Sequence, residues 1–130
     1  MHRRDQWILI IQKFESVYNN HFPSNEAYKA VFTIGDLYEQ LFAISRRDRD
    51  LDAALDAYQK TVNKFKPGRL TDDALYRQGE IYFGRKGYAD ALNFFEKVSK
   101  LTPKGDVVLK ARSRISSVRH IIAKNDRLKK

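Results

Sequence analysis

The side chains of this 130-residue chain that could perform chemistry are few and widely spaced. The three histidines, His2, His21 and His120, show no metal-ligand spacing, and there is no cysteine. Asp72 and Asp73 stand where a helix is predicted to begin, and carboxylates stabilise the positive end of a helix. Nucleophile-elbow, phosphate-loop and dinucleotide-binding motifs are missing from the sequence. We therefore predict a non-catalytic protein without a cofactor or a bound metal.

Basic residues are concentrated at the end of the chain. From Lys104 to Lys130 there are nine basic residues against two acidic ones, a net +7 out of the +9 of the whole chain. Such a surplus is typical of a surface that binds phosphates or an anionic polymer. The alternative is the solvated outer face of a terminal helix that leads into a polar linker.

Length and composition restrict the overall class of the protein. A chain of 130 residues is expected to form one domain. The apolar run at residues 7–11 is too short for a membrane helix or for the core of a signal peptide. If the protein is exported, its signal has been removed. The absence of cysteine leaves the redox compartment open.

The stretch from Asp72 to Gly105 organises the rest of the chain. Gly79 and Ala91 are small enough to let two antiparallel helices approach closely, with aromatic residues filling the space beside them. The positions that carry this pattern are Leu75, Gly79, Tyr82, Ala91, Phe95, Val98 and Pro103. The pattern resembles the tetratricopeptide (TPR) repeat, a helix-turn-helix unit. Residues 84–88 are predicted to form the turn, and a generic helical hairpin is the alternative.

A second copy of the pattern lies upstream. The segment Gly35–Tyr38 is nearly identical to Gly79–Tyr82 and lies 44 residues before it. A minimal TPR repeat has 34 residues, so we expect an insertion between the copies. The spacing to the following small residue places seven extra residues around 43–50, where they should lengthen the first helix and the loop. An earlier helix resembles the second half of a repeat, with an apolar stripe formed by Trp7, Ile10, Ile11, Phe14, Val17 and Tyr18.

These patterns predict an all-α fold of about six helices, a TPR-like superhelical stack of antiparallel hairpins that forms a single domain over residues 1–123. Its predicted parts are a half repeat at 4–22, a repeat with an extended turn at 24–66, a repeat at 71–103 and a capping helix at 106–123. Residues 124–130 are predicted to be a basic tail or linker.

The TPR resemblance implies a concave groove lined by the first helix of each repeat. Inward positions should contact a partner protein or peptide; those that we expect to bind are Phe32, Asp36, Tyr76, Glu80, Phe83, Lys110 and Arg114. This groove would be acidic and aromatic at one end and basic at the other. Chaperone-binding TPR proteins carry a Lys/Asn set that clamps a peptide carboxylate, and only Lys110 and Arg114 offer anything similar. The alternative is that all these positions are ordinary solvated ones.

A narrower resemblance involves the helices as a set. The segments that carry it are Trp7 with Phe14–Tyr18 and Pro23, then Gly35–Tyr38, Ala54–Tyr58, Leu70–Leu75 and Gly79–Tyr82. Together they resemble the helical region that precedes the catalytic domain in some bacterial N-acetylmuramoyl-L-alanine amidases, and more loosely the TPR proteins of the Tol-Pal and outer-membrane assembly systems. The resemblance implies an accessory, peptidoglycan-related role in the periplasm or cell envelope. Without it, a cytoplasmic protein is expected.

Two classes of function follow from the sequence. The first is a protein-interaction module that holds a partner in the groove. The second is a basic helical domain that binds nucleic acid or an envelope glycopolymer through its last helix. A DNA-reading helix-turn-helix does not fit, because the basic residues cluster on a terminal helix without a recognition-helix pair beside them.

Overall fold

A computed structural model describes residues 3–101 and 106–129, which are folded into six helices. Their bounds are α1 Arg3–His21, α2 Asn25–Ser45, α3 Asp48–Asn63, α4 Thr71–Gly84, α5 Tyr88–Leu101 and α6 Asp106–Leu128. The prediction of an all-α fold with about six helices is confirmed. His2, Pro103, Lys104, Gly105 and Lys130, which entered the predictions, lie outside the described residues.

The contacts divide the chain into two compact units, residues 1–71 and 72–130. The boundary falls at the start of α4, so the first unit contains α1 to α3 and the second contains almost all of α4 together with α5 and α6.

The core of the first unit is apolar and drawn from all three of its helices. Its buried members are Ile11, Val31, Ile34, Leu41 and Ala57. Ile11 is fully buried, but Ile10, which was also predicted on the apolar stripe of α1, remains 44% exposed. The face of α1 that packs against α2 therefore runs through Ile11, and Ile10 is rotated away from it by about 100°.

The first hairpin is formed by α2 and α3, which meet at a glycine. Gly35 lies so close to Tyr58 that a Cβ atom built on the glycine would be 2.5 Å from Cε1 of the ring. Tyr58 also packs against Phe32, with ring centroids 5.5 Å apart, and donates a hydrogen bond to Glu39. The absence of a side chain at residue 35 is thus what allows the two helices to approach.

The extra residues of the first hairpin extend its helices, and the loop itself is short. α2 continues to Ser45 and α3 begins at Asp48, so the predicted longer loop is wrong. Arg46 ends α2 in the left-handed conformation, with φ 56° and its N–H donating to the carbonyl of Phe42. The Ser45 hydroxyl donates to Asp50 at 2.6 Å, which joins the end of α2 to the start of α3.

The second hairpin, α4 and α5, repeats the same packing. A Cβ atom on Gly79 would lie 2.5 Å from Cε1 of Phe95, and Tyr76 packs on the same ring at a centroid distance of 5.5 Å. The turn contains Lys86 in the left-handed conformation, with φ 63°, and the N–H of Gly87 donates to the carbonyl of Tyr82. The turn predicted at residues 84–88 is therefore present.

α6 packs on α5 and extends farther than predicted. Its buried residues Val108, Ala111 and Val118 lie on one face, as expected. The prediction of a tail from residue 124 is wrong, since the helix continues to Leu128. Long basic side chains have good helix propensity, so the polar sequence does not itself end the helix.

Side-chain contacts fix the helix starts. Ser24 caps α2 by accepting a hydrogen bond from the N–H of Ala27 at 3.2 Å. Tyr28 reaches the connection to α4, where its hydroxyl accepts from the N–H of Leu70 at 2.7 Å and lies 3.2 Å from the hydroxyl of Thr71. Across the described ranges, each helix is too short or too polar to cross a bilayer.

Candidate partner-binding site

Four of the predicted binding residues come together on the surface of the second unit. Arg114 of α6 forms a two-pronged ion pair with Glu80 of α4, with Nε–Oε1 at 2.7 Å and Nη2–Oε2 at 3.1 Å. The same guanidinium lies over the ring of Phe83, with Cζ 4.6 Å from the centroid. Tyr76 interacts with both members of the ion pair. We call this group, Tyr76, Glu80, Phe83 and Arg114, the α4–α6 face.

Helical spacing explains why three of these residues share one side of α4. Tyr76, Glu80 and Phe83 follow one another at intervals of four and three residues, so their side chains lie along a single stripe. The two aromatic rings of this stripe pack against α5. Tyr76 packs on Phe95, and Phe83 meets Tyr88 edge-on with ring centroids 5.9 Å apart. The packed α4–α5 hairpin therefore positions three residues of the face, and α6 contributes the fourth, Arg114.

The face is only partly accessible to solvent. The side chain of Arg114 is 38% exposed and that of Glu80 is 29% exposed. A charge pair in this setting contributes little to folding, on the order of 0–1 kcal/mol, because solvent screens it. Its bidentate geometry nevertheless fixes the guanidinium plane, which leaves the edge of a cation beside an aromatic ring accessible to a ligand.

The electrostatics of the face shift two of its titrating groups. Burial is the main reason why the pKa of Tyr76 is raised, and the carboxylate of Glu80 acts in the same direction while Arg114 opposes it. The pKa of Arg114 is raised chiefly because Glu80 accepts its hydrogen bonds. At neutral pH the face thus presents a neutral phenol and a paired guanidinium.

The remaining predicted binding residues are placed elsewhere. Lys110 is exposed on α6, one helical turn before Arg114. Phe32 and Asp36 belong to α2 of the first unit, where Phe32 packs on Tyr58 and Asp36 accepts a hydrogen bond from Gln40 at 2.9 Å. A groove that includes all seven residues stays a prediction.

Two arginines of the predicted basic segment, Arg112 and Arg119, line a cavity between α5 and α6. This open cavity measures about 700 Å³, and its basic lining residues are Lys100, Arg112 and Arg119. Arg119 pairs with Glu96 at 2.9 Å but remains 64% exposed. The side chains of Lys100, Arg112 and Arg119 are all exposed to solvent.

A further charged cavity was not anticipated from the sequence. It measures about 490 Å³ and is lined by the start of α1, the α2–α3 loop and the start of α3, through Arg3, Arg4, Asp5, Arg47 and Arg49. We call it the arginine cavity. Arg3 and Arg4 lie more than forty residues before Arg47 and Arg49 in the sequence. The clue was the density of arginine in the inserted segment, which the repeat pattern does not explain.

In the described part of the chain, no group of three or more His, Asp or Glu residues is placed to hold a metal ion. Comparison with known proteins adds no relative, since no family model, curated protein or solved structure matches this chain. Functional inference therefore depends on the chain's own surfaces.

Proposed function

We propose that this protein is a non-catalytic interaction module of the TPR type, whose hairpins form a superhelical stack and whose α4–α6 face binds a partner protein or peptide. The observation that carries the proposal is Arg114, which lies across the ring of Phe83, forms a bidentate pair with Glu80 and stays partly exposed. Aromatic and Arg side chains of this kind dominate binding energy where a partner desolvates them.

The chemistry of the face indicates what it would bind. A carboxylate on the partner can compete with Glu80 for the guanidinium of Arg114, while an apolar side chain beside it can pack on Phe83. The expected ligand is therefore a segment that combines an acidic group with an apolar anchor. The amidase resemblance supports placing this module beside a cell-wall enzyme or an envelope assembly protein, in the periplasm.

Pull-down from a bacterial envelope extract, followed by titration with the recovered partner, tests this proposal. A Tyr76→Ala, Phe83→Ala, Arg114→Ala variant should lose the partner, since each truncation at a binding centre costs about 1–3 kcal/mol. The matched control is Lys97→Ala, which removes a cation stacked on an aromatic ring, Phe94, in the same unit. If the triple variant keeps both its helicity and its partners, the α4–α6 face is not the site.

A second candidate function is the binding of an anionic polymer. The observation that favours it is the row of exposed cations, Lys100, Arg112 and Arg119, along the open cavity between α5 and α6. Such a surface releases counterions when a polyanion binds, so its affinity would depend steeply on salt.

A further inference from the structure

The arginine cavity has a strong excess of positive charge. Four arginines line it, and Arg4 is paired with Asp50, which leaves three guanidinium groups against the carboxylate of Asp5. Like charges that share one cavity repel each other, and this repulsion is relieved when an anion enters. The cavity lies within the first unit, apart from the residues on which the proposed partner binding depends.

One wall of the cavity is anchored by a buried ion pair. Arg4 of α1 donates from Nη2 to Asp50 at 2.8 Å, and Asp50 is only 1% exposed. Asp50 also accepts from Ser45, so the same carboxylate ties α1 to both helices of the first hairpin. The Nε atom of Arg4 is buried and has no hydrogen-bond partner. One wall of the cavity thus contains an arginine whose position is fixed by a buried carboxylate.

The opposite wall is formed by Arg47 and Arg49, which lie on either side of the start of α3. Both side chains are exposed. Arg47 precedes the first residue of α3, and its side chain makes no capping hydrogen bond there. Neither residue belongs to the apolar core of the unit. Removal of these two charges should therefore leave the apolar core of the unit intact.

We infer that the arginine cavity binds a phosphate-bearing ligand. Guanidinium groups match the geometry of phosphate oxygens through paired hydrogen bonds, and several of them around one space favour a multiply charged anion over a single carboxylate. The volume of about 490 Å³ is that of a small-molecule site, which spans roughly 300–1,000 Å³, and can hold a diphosphate group. The ligand would bring the negative charge that the cavity lacks.

Titration calorimetry of the full chain with inorganic pyrophosphate tests the inference. In about 0.1 M NaCl, charges more than roughly 10 Å from the ligand are screened, so binding reports on the local site. Arg47→Gln, Arg49→Gln should weaken pyrophosphate binding by at least about tenfold, with an unchanged melting temperature. The control Lys64→Gln, Lys66→Gln removes the same charge from a different cavity of the first unit and should leave the affinity within about twofold.

Two further titrations identify the source of the phosphate. Binding to phosphatidylcholine vesicles that contain phosphatidic acid, lost in the Arg47→Gln, Arg49→Gln variant, would indicate a lipid headgroup. Binding of pyrophosphate without vesicle binding would indicate a soluble ligand, and both results support a phosphate site. The inference is overturned if pyrophosphate does not bind, or if the lysine control loses as much affinity as the arginine variant. None of these outcomes tests the proposed partner binding at the α4–α6 face.

Discussion

Gly79 and Phe95 are in such close contact that the glycine has no room for a methyl group. A Cβ atom at residue 79 would lie 2.5 Å from Cε1 and 2.8 Å from Cδ1 of a ring that is fully buried. Gly35 and Tyr58 make the same contact in the first hairpin. The two hairpins thus share the same glycine–aromatic contact between their helices, despite their different lengths.

Gly79→Ala should destabilise the second hairpin even though alanine is the better helix former. The gain in helix propensity is about 1 kcal/mol, whereas overpacking against Phe95 costs about 1–3 kcal/mol or more. Gly84→Ala is the matched control, because a Cβ atom at residue 84 meets nothing within 4 Å. Denaturant unfolding should show a loss for Gly79→Ala and none for Gly84→Ala; equal stability of the two variants would contradict the close-packing interpretation.

Glu80→Gln should strengthen the binding of an acidic partner. Glu80 competes for Arg114, so removal of its charge frees the guanidinium, while the cost to folding stays on the order of 0–1 kcal/mol because the pair is partly exposed. Titration of the recovered partner measures the effect. Glu96→Gln, which breaks the pair with Arg119 and changes the net charge equally, is the control. Equal gains for both variants would point to net charge alone.

The protein should lose stability at alkaline pH through two tyrosines. Burial raises the pKa of both Tyr38 and Tyr76 above the ordinary value of about 10. The unfolded chain therefore releases these protons first, and the free energy of unfolding falls as the pH rises above about 10, with the full contribution present below it. Urea titrations between pH 9 and 11 should show a steeper loss for the native chain than for Tyr38→Phe, Tyr76→Phe. If the free energy of unfolding falls equally with pH in both proteins, the two tyrosines do not cause the loss.

The basic surface of α5 and α6 should bind heparin or duplex DNA in a salt-dependent manner if it serves a polyanion. Charge reversal at Arg112, Arg119 and Lys124 should abolish retention and flatten the dependence of affinity on salt. The control is charge reversal at Lys13, Lys29 and Lys60 in the first unit. Retention that survives reversal on α6 would leave these cations as a solvated helix face.

The sequence predicted the hairpins because their helices can approach only where a small residue faces an aromatic one. The same repeat positions brought Glu80 and Arg114 onto one surface, 34 residues apart. The arginine cavity was not predictable in this way, since it depends on how α1 packs and on where the insertion ends. The stripe predicted for α1 included the exposed Ile10 for a related reason: a helix with apolar residues on several sides does not reveal which of them faces its neighbour.

The insertion in the first hairpin has a consequence for the evolution and engineering of this chain. α2 has 21 residues where α4 has 14, and α3 has 16 where α5 has 14. The additions lie at the loop end of both helices, after Gly35 in α2 and before Tyr58 in α3. Shortening α2 alone would leave the loop end of α3 without its packing partner, so the hairpin can be shortened only by matched deletions in both helices.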